Sequence, residues 1–132
     1  MNREALVEAA VADLRARGVG AGEAAPPLFH FLWSLEVYVP PPHFLGFASL
    51  ACLMGGCFAL GMAPVALAGL AVAWLAAPEQ LTLRDVFVIG AAVSLAAGGL
   101  FGIALATWFR YRAWRLSLPS WQRFAASRGV TG

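Results

Sequence analysis

An all-α membrane protein built on a two-helix transmembrane hairpin is the fold class this sequence predicts, and three observations predict it. Two long runs, residues 44–75 and 86–109, hold 32 and 24 residues without one charge. The composition is 61% hydrophobic and 12% charged, with a mean hydropathy of +0.74, far from the usual soluble mix. The nine basic residues, all arginine, lie outside both runs. In a chain of 132 residues, nine arginines and seven acids cannot cover so much apolar surface, so lipid must cover it.

Residues 1–25 read as a cytoplasmic amphipathic helix followed by a linker. Leu6, Val7, Ala10, Val11 and Leu14 recur at helical spacing, while Arg3, Glu4, Glu8 and Arg15 take other faces. Asn2 is a candidate N-cap and Gly18 a stop, with the flexible "GVGAGEAA" beyond it. The mixed charges, with no continuous apolar core, are unlike a cleaved leader. Membrane-surface helices are more basic and carry larger apolar residues, so this helix is expected to pack on protein.

Residues 26–43 combine a short interfacial helix with a polyproline elbow. Pro27 suits a helical first turn. The rings of Phe29, Trp33 and Tyr38 suit the headgroup zone. Pro40, Pro41 and Pro42 cannot continue a helix, and they form a rigid corner about 9 Å long at about 3.1 Å per residue. That corner turns an interfacial segment into a spanning one, expected to start near His43.

Residues 44–75 are the first transmembrane helix, with a kink expected near Pro64. At 1.5 Å per residue a straight helix of that length runs about 48 Å, against a hydrocarbon core of about 30 Å. It must therefore tilt, protrude or break. Residues 76–85 are a polar external loop, and residues 86–109 the second transmembrane helix. Residues 110–132 are a basic cytoplasmic tail. Trp108, Arg110, Arg112, Trp114 and Arg115 are expected at the interface, the arginines meeting anionic headgroups at about 1 kcal/mol each. Pro119 breaks the helix there, and Ser120 caps a last short one.

Orientation follows from arginine placement. The tail holds five arginines and no acid, the N-terminal segment holds Arg3, Arg15 and Arg17, and the hairpin loop holds only Arg84. By the positive-inside rule both termini face the cytoplasm. The absence of lysine, beside abundant Ala, Gly and Arg, suggests a bacterial source and hence the inner membrane.

Inside the spans the informative pattern is small residues four apart. Gly90, Ser94, Gly98, Gly102 and Ala106 form one ladder, and Ala51, Gly55, Ala59 and Ala63 another. Such residues let helix backbones approach closely, the main route to helix association in lipid. Two uses stay open: the ladders pack the hairpin together, or one of them joins subunits.

Between them the spans hold no Asp, Glu, Lys, Arg or His, the residues that pumps and coupled transporters need there. No nucleophile motif or phosphate-cradling loop is present, so no catalytic residue is assigned and no enzyme is expected. His30 and His43 lack a carboxylate partner in any motif and are expected to be interfacial. Cys52 and Cys57 lie on different faces of one helix, and neither a disulfide nor a metal or cofactor site is expected. The basic tail is explained by topology, so nucleic acid is not an expected partner.

"AAPPLFHFLWSLEVYVPPPHF", joined to a two-span hairpin and an exit of "WFRYRAWRLSLPSW", resembles a bacterial family of small inner-membrane proteins defined only as a domain of unknown function. The resemblance spans most of residues 3–124. It implies an architecture and lends no catalytic residue. The expected function is therefore non-enzymatic, through helix contacts, as a self-assembling oligomer or an accessory subunit of a larger membrane complex. The alternative is a homo-oligomeric channel or small-molecule exporter.

Overall fold

A computed structural model describes residues 2–129; Met1 and residues 130–132, the outermost parts of the expected N-terminal segment and basic tail, lie outside the described residues. The chain is all-helical, with no strand among the described residues. Its helices are α1 (Arg3–Ala16), α2 (Ala21–Ala24), α3 (Pro27–Ser34), α4 (Phe47–Ala76), α5 (Leu83–Arg115) and α6 (Trp121–Ser127), with a 3-10 turn at Pro42–Phe44. They form two compact units, one from Met1–Gly46 with Phe109–Gly132 and one from Phe47–Trp108.

The first unit is organised around α1. Asn2 caps it, its Oδ1 accepting the Ala5 N–H at 2.8 Å. Leu6, Ala10, Val11 and Leu14 then enter a core with Val19, Ala24, Ala25, Phe44 and Phe124. The stretch after Gly18 is ordered rather than a loose linker: α2 forms there, and Val19, Ala24 and Ala25 are buried.

Three helices in this unit end with the same device. At α1 the Gly18 N–H donates to Arg15 O at 3.0 Å and the Val19 N–H to Leu14 O at 3.1 Å. At α3 the donors are Glu36 and Val37, onto Trp33 and Leu32. At the end of α5 they are Ser117 and Leu118, onto Trp114 and Ala113. Each is a Schellman cap, which needs a left-handed residue at its centre. Gly18 (φ +83°) fits that need, whereas Glu36 (φ +61°) and Ser117 (φ +50°) adopt it with side chains.

The proline segment departs from the expected elbow. Pro41 is extended (φ −53°, ψ 153°), but Pro42 begins the 3-10 turn and Leu45 is extended again. The first long helix therefore starts at Phe47 and not near His43. Burial is the reason: the turn tucks Pro41, Pro42, His43 and Phe44 inside the unit, where Phe44 meets Trp121 and Phe124 at 5.7 and 5.2 Å between ring centroids.

The second unit is the helix pair. α4 has 30 residues and continues through Pro64 without a break in the helix. α5 has 33 residues and outruns the uncharged stretch at both ends. At its start Thr82 and Asp85 make a reciprocal capping box, with the Thr82 N–H on Asp85 Oδ2 at 2.9 Å and the Asp85 N–H on Thr82 Oγ1 at 3.2 Å. That cap draws Leu83–Asp85 out of the expected loop and into the helix. Both α4 and α5 are long and apolar enough to cross a membrane.

Candidate functional site

Two arrangements carry the molecule's specific geometry, one in each unit. In the helix pair it is a crossing lined by backbone. A Cβ built on Gly55 would stand 2.6 Å from Gly98 O, and one on Gly98 would stand 2.6 Å from the Ala59 Cβ. One on Gly102 would fall on the carbonyl oxygen of Ala51. Contacts this close are open only to glycine.

The two small-residue ladders thus face each other within the chain. Gly90, Ser94, Gly98, Gly102 and Ala106 are all buried, as are Gly55 and Ala59, with Ala51 and Ala63 half-buried beside them. Gly90 is the exception in partner, since its missing Cβ makes room for the side chains of Leu67 and Leu70. Phe58 and Phe101 stack across the pair at 4.1 Å between centroids. Gly56 and Gly99 face open space instead. Within α5 two hydroxyls are occupied locally: Ser94 donates to Gly90 O and Thr107 to Ile103 O, each at 2.8 Å. Cys52 and Cys57 are free thiols, both exposed.

In the other unit the arrangement is a Glu23–His43–Arg112 cluster. Arg112 makes a two-pronged pair with Glu23, Nε to Oε1 at 2.9 Å and Nη2 to Oε2 at 3.2 Å. His43 Nε2 lies 3.7 Å from the same Oε1, beyond hydrogen-bonding reach. The imidazole is 1% exposed and meets Phe109 edge-on at 5.0 Å. Burial holds its pKa below the ordinary 6.5; Glu23 opposes that shift and Arg112 reinforces it. The ring is therefore neutral at neutral pH.

Three residues of this unit depart from the expected outward-facing placement. His43 is enclosed by its own unit, because the 3-10 turn carries it inward. Arg112 does not reach outward for headgroups, because Glu23 holds it. Phe29 is fully buried, edge-on to Trp33 at 6.2 Å, because α3 turns that face onto its own unit. Trp33 and Tyr38 are half-buried, the Trp33 Nε1–H donating to Val39 O at 2.9 Å. Trp108, Arg110, Trp114 and Arg115 are exposed. Glu23 escaped the sequence reading because its partner lies 89 residues away, a separation that no local spacing reveals. Among the described residues no three His, Cys, Asp or Glu side chains converge as a metal site.

Fold and site together define the class: an all-helical protein with two membrane-length apolar helices, closely packed through glycine. The chain belongs to a family of unknown function, DUF6404, which matches residues 1–124. No curated protein and no solved structure matches it.

Proposed function

We propose that the chain is a bacterial inner-membrane protein that crosses the bilayer twice with both termini in the cytoplasm. It acts without catalysis, through helix contacts, as a self-assembling oligomer or an accessory subunit of a larger membrane complex. One observation carries this reading. Away from the glycine crossing, α4 and α5 present large apolar side chains outward, with Leu60 76%, Leu95 70% and Leu100 73% exposed. Surfaces of that kind need lipid or an apolar partner. The exposed rings of Phe31 and Trp114 and the basic residues Arg110 and Arg115 suit the cytoplasmic headgroup zone. The occupied hydroxyls of Ser94 and Thr107 favour a contact role over the channel or exporter alternative, whose pore needs polar groups.

The test is made in cells and then in detergent. Single cysteines replacing Glu79 and Arg123, in a chain with Cys52 and Cys57 changed to Ala, should label from opposite sides of an intact membrane. The native mass of the extracted protein should exceed that of one chain, through further copies or a co-purifying subunit. Labelling from one side overturns the topology. A lone monomer without protein companions overturns the assembly role.

A further inference from the structure

In the unit formed by the two ends of the chain, one cavity of about 460 Å³ is lined by His43, Phe44, Arg110, Trp114, Ser117 and Ser120, among others. No acidic side chain lines it. Glu23, which would otherwise neutralise the charge near His43, is already held by Arg112. Arg110 is exposed and offers a planar fork of donors.

Two hydroxyls stand with it. Ser120 Oγ accepts the Arg123 N–H at 3.4 Å, which leaves its own proton to donate. Ser117 occupies its left-handed position at φ +50°, where glycine would sit more easily, so the chain places a hydroxyl there against its backbone preference. His43 also lines the cavity. It is 1% exposed, and neither ring nitrogen has a hydrogen-bond partner among the described residues. A buried imidazole in that condition is a donor without an acceptor. Trp114, 74% exposed, adds an indole of the kind that settles at headgroup depth.

We propose that this cavity binds an oxyanion, the phosphate of an anionic glycerophospholipid headgroup. Arg110 supplies the charge, while Ser117, Ser120 and His43 donate to the phosphate oxygens. Trp114 covers the glycerol that follows. The choice of a lipid rests on the membrane reading above; the oxyanion chemistry does not, because a soluble phosphate ester offers the same group.

The experiment titrates the full-length, detergent-purified chain, read by tryptophan fluorescence. The probes are short-chain phosphatidylglycerol, short-chain phosphatidylcholine and glycerol 3-phosphate. Phosphatidylglycerol should bind saturably and at least tenfold more tightly than the other two. Arg110→Gln should weaken it at least tenfold, and Ser117→Gly and His43→Phe several-fold each. The melting temperature of Arg110→Gln without lipid should match that of the parent, because Arg110 is exposed. Arg110-dependent binding of glycerol 3-phosphate as tight as that of the lipid upholds the oxyanion site and assigns it a soluble ligand. That outcome leaves the topology test untouched. Absence of saturable binding, or binding indifferent to both Arg110→Gln and Ser117→Gly, overturns the proposal.

Discussion

Replacing Gly102 with alanine adds one methyl group at the tightest point of the helix pair. That methyl would fall on the Ala51 carbonyl oxygen, 2.8 Å from the Gly55 Cα and 3.0 Å from the Gly55 nitrogen. All three obstacles are backbone, so no rotamer change relieves them. Comfortable carbon contacts lie at about 3.5–4.0 Å, so α4 and α5 must separate by roughly 1 Å. A gap of about 0.5–1 Å forfeits a quarter to a half of each contact's attraction along the seam. Overpacking of this kind costs about 1–3 kcal/mol. We expect Gly102→Ala to destabilise the pair by about 2 kcal/mol, roughly a thirtyfold change in the folded-to-unfolded ratio. Gly99→Ala is the internal control: it makes the same chemical change three residues away, where a Cβ meets nothing within 4 Å. Alanine is the better helix former, so that variant should be neutral or up to about 1 kcal/mol more stable. Unfolding both in detergent and SDS mixtures, followed by helical circular dichroism, measures the difference. Equal stability of the two variants would refute the assignment of the crossing to the Gly55–Gly98–Gly102 face.

Two further outcomes are expected from the unit that joins the chain's ends. Glu36→Gly relieves a left-handed residue at the α3 cap and should raise stability by about 0.5–1 kcal/mol, read as a higher melting temperature. His43 makes stability depend on pH. Its folded pKa is depressed by burial, so the unfolded chain takes the proton first. The contribution is fully present above 6.5 and declines as pH falls below 6.5 towards the folded value. The melting temperature should therefore drop between pH 7.5 and 5.5, and His43→Phe should flatten that drop; an unchanged slope in the variant would contradict the assignment.

The parts legible in the sequence were those set by local rules. Asn2 and Ser120 announced their caps by residue type and position, and both accept the backbone N–H expected of them. The two uncharged runs announced α4 and α5, because apolar runs of that length have few other uses. The four-residue spacing of Gly90, Ser94, Gly98, Gly102 and Ala106 marked one helix face, which is buried along its whole length. What spacing left open was which surface meets that face, and close approach to Gly55 and Ala59 supplies the answer within one chain. The illegible parts were those set by distant partners. Glu23 sits in a glycine-rich stretch that reads as a linker until Arg112 returns from the far end of α5. Phe29 reads as an anchor from its aromatic neighbours, yet it is fully buried. Glu36 and Ser117 hide their left-handed geometry because neither is glycine or asparagine.

The unit that contains α1 draws on the first 46 residues and then on Phe109 onward, with everything between them belonging to the helix pair. A ribosome delivers these pieces in the wrong order for prompt closure. Leu6, Leu14 and Phe44 emerge before the helix pair, but Phe124, with which they share a core, emerges only after it. While the helix pair is being made, the earlier piece waits with its greasy side uncovered, a state that invites chaperones and proteases. The core can close only after Phe47–Trp108 has been made, so its completion serves as a built-in record that the whole helix pair has been synthesised.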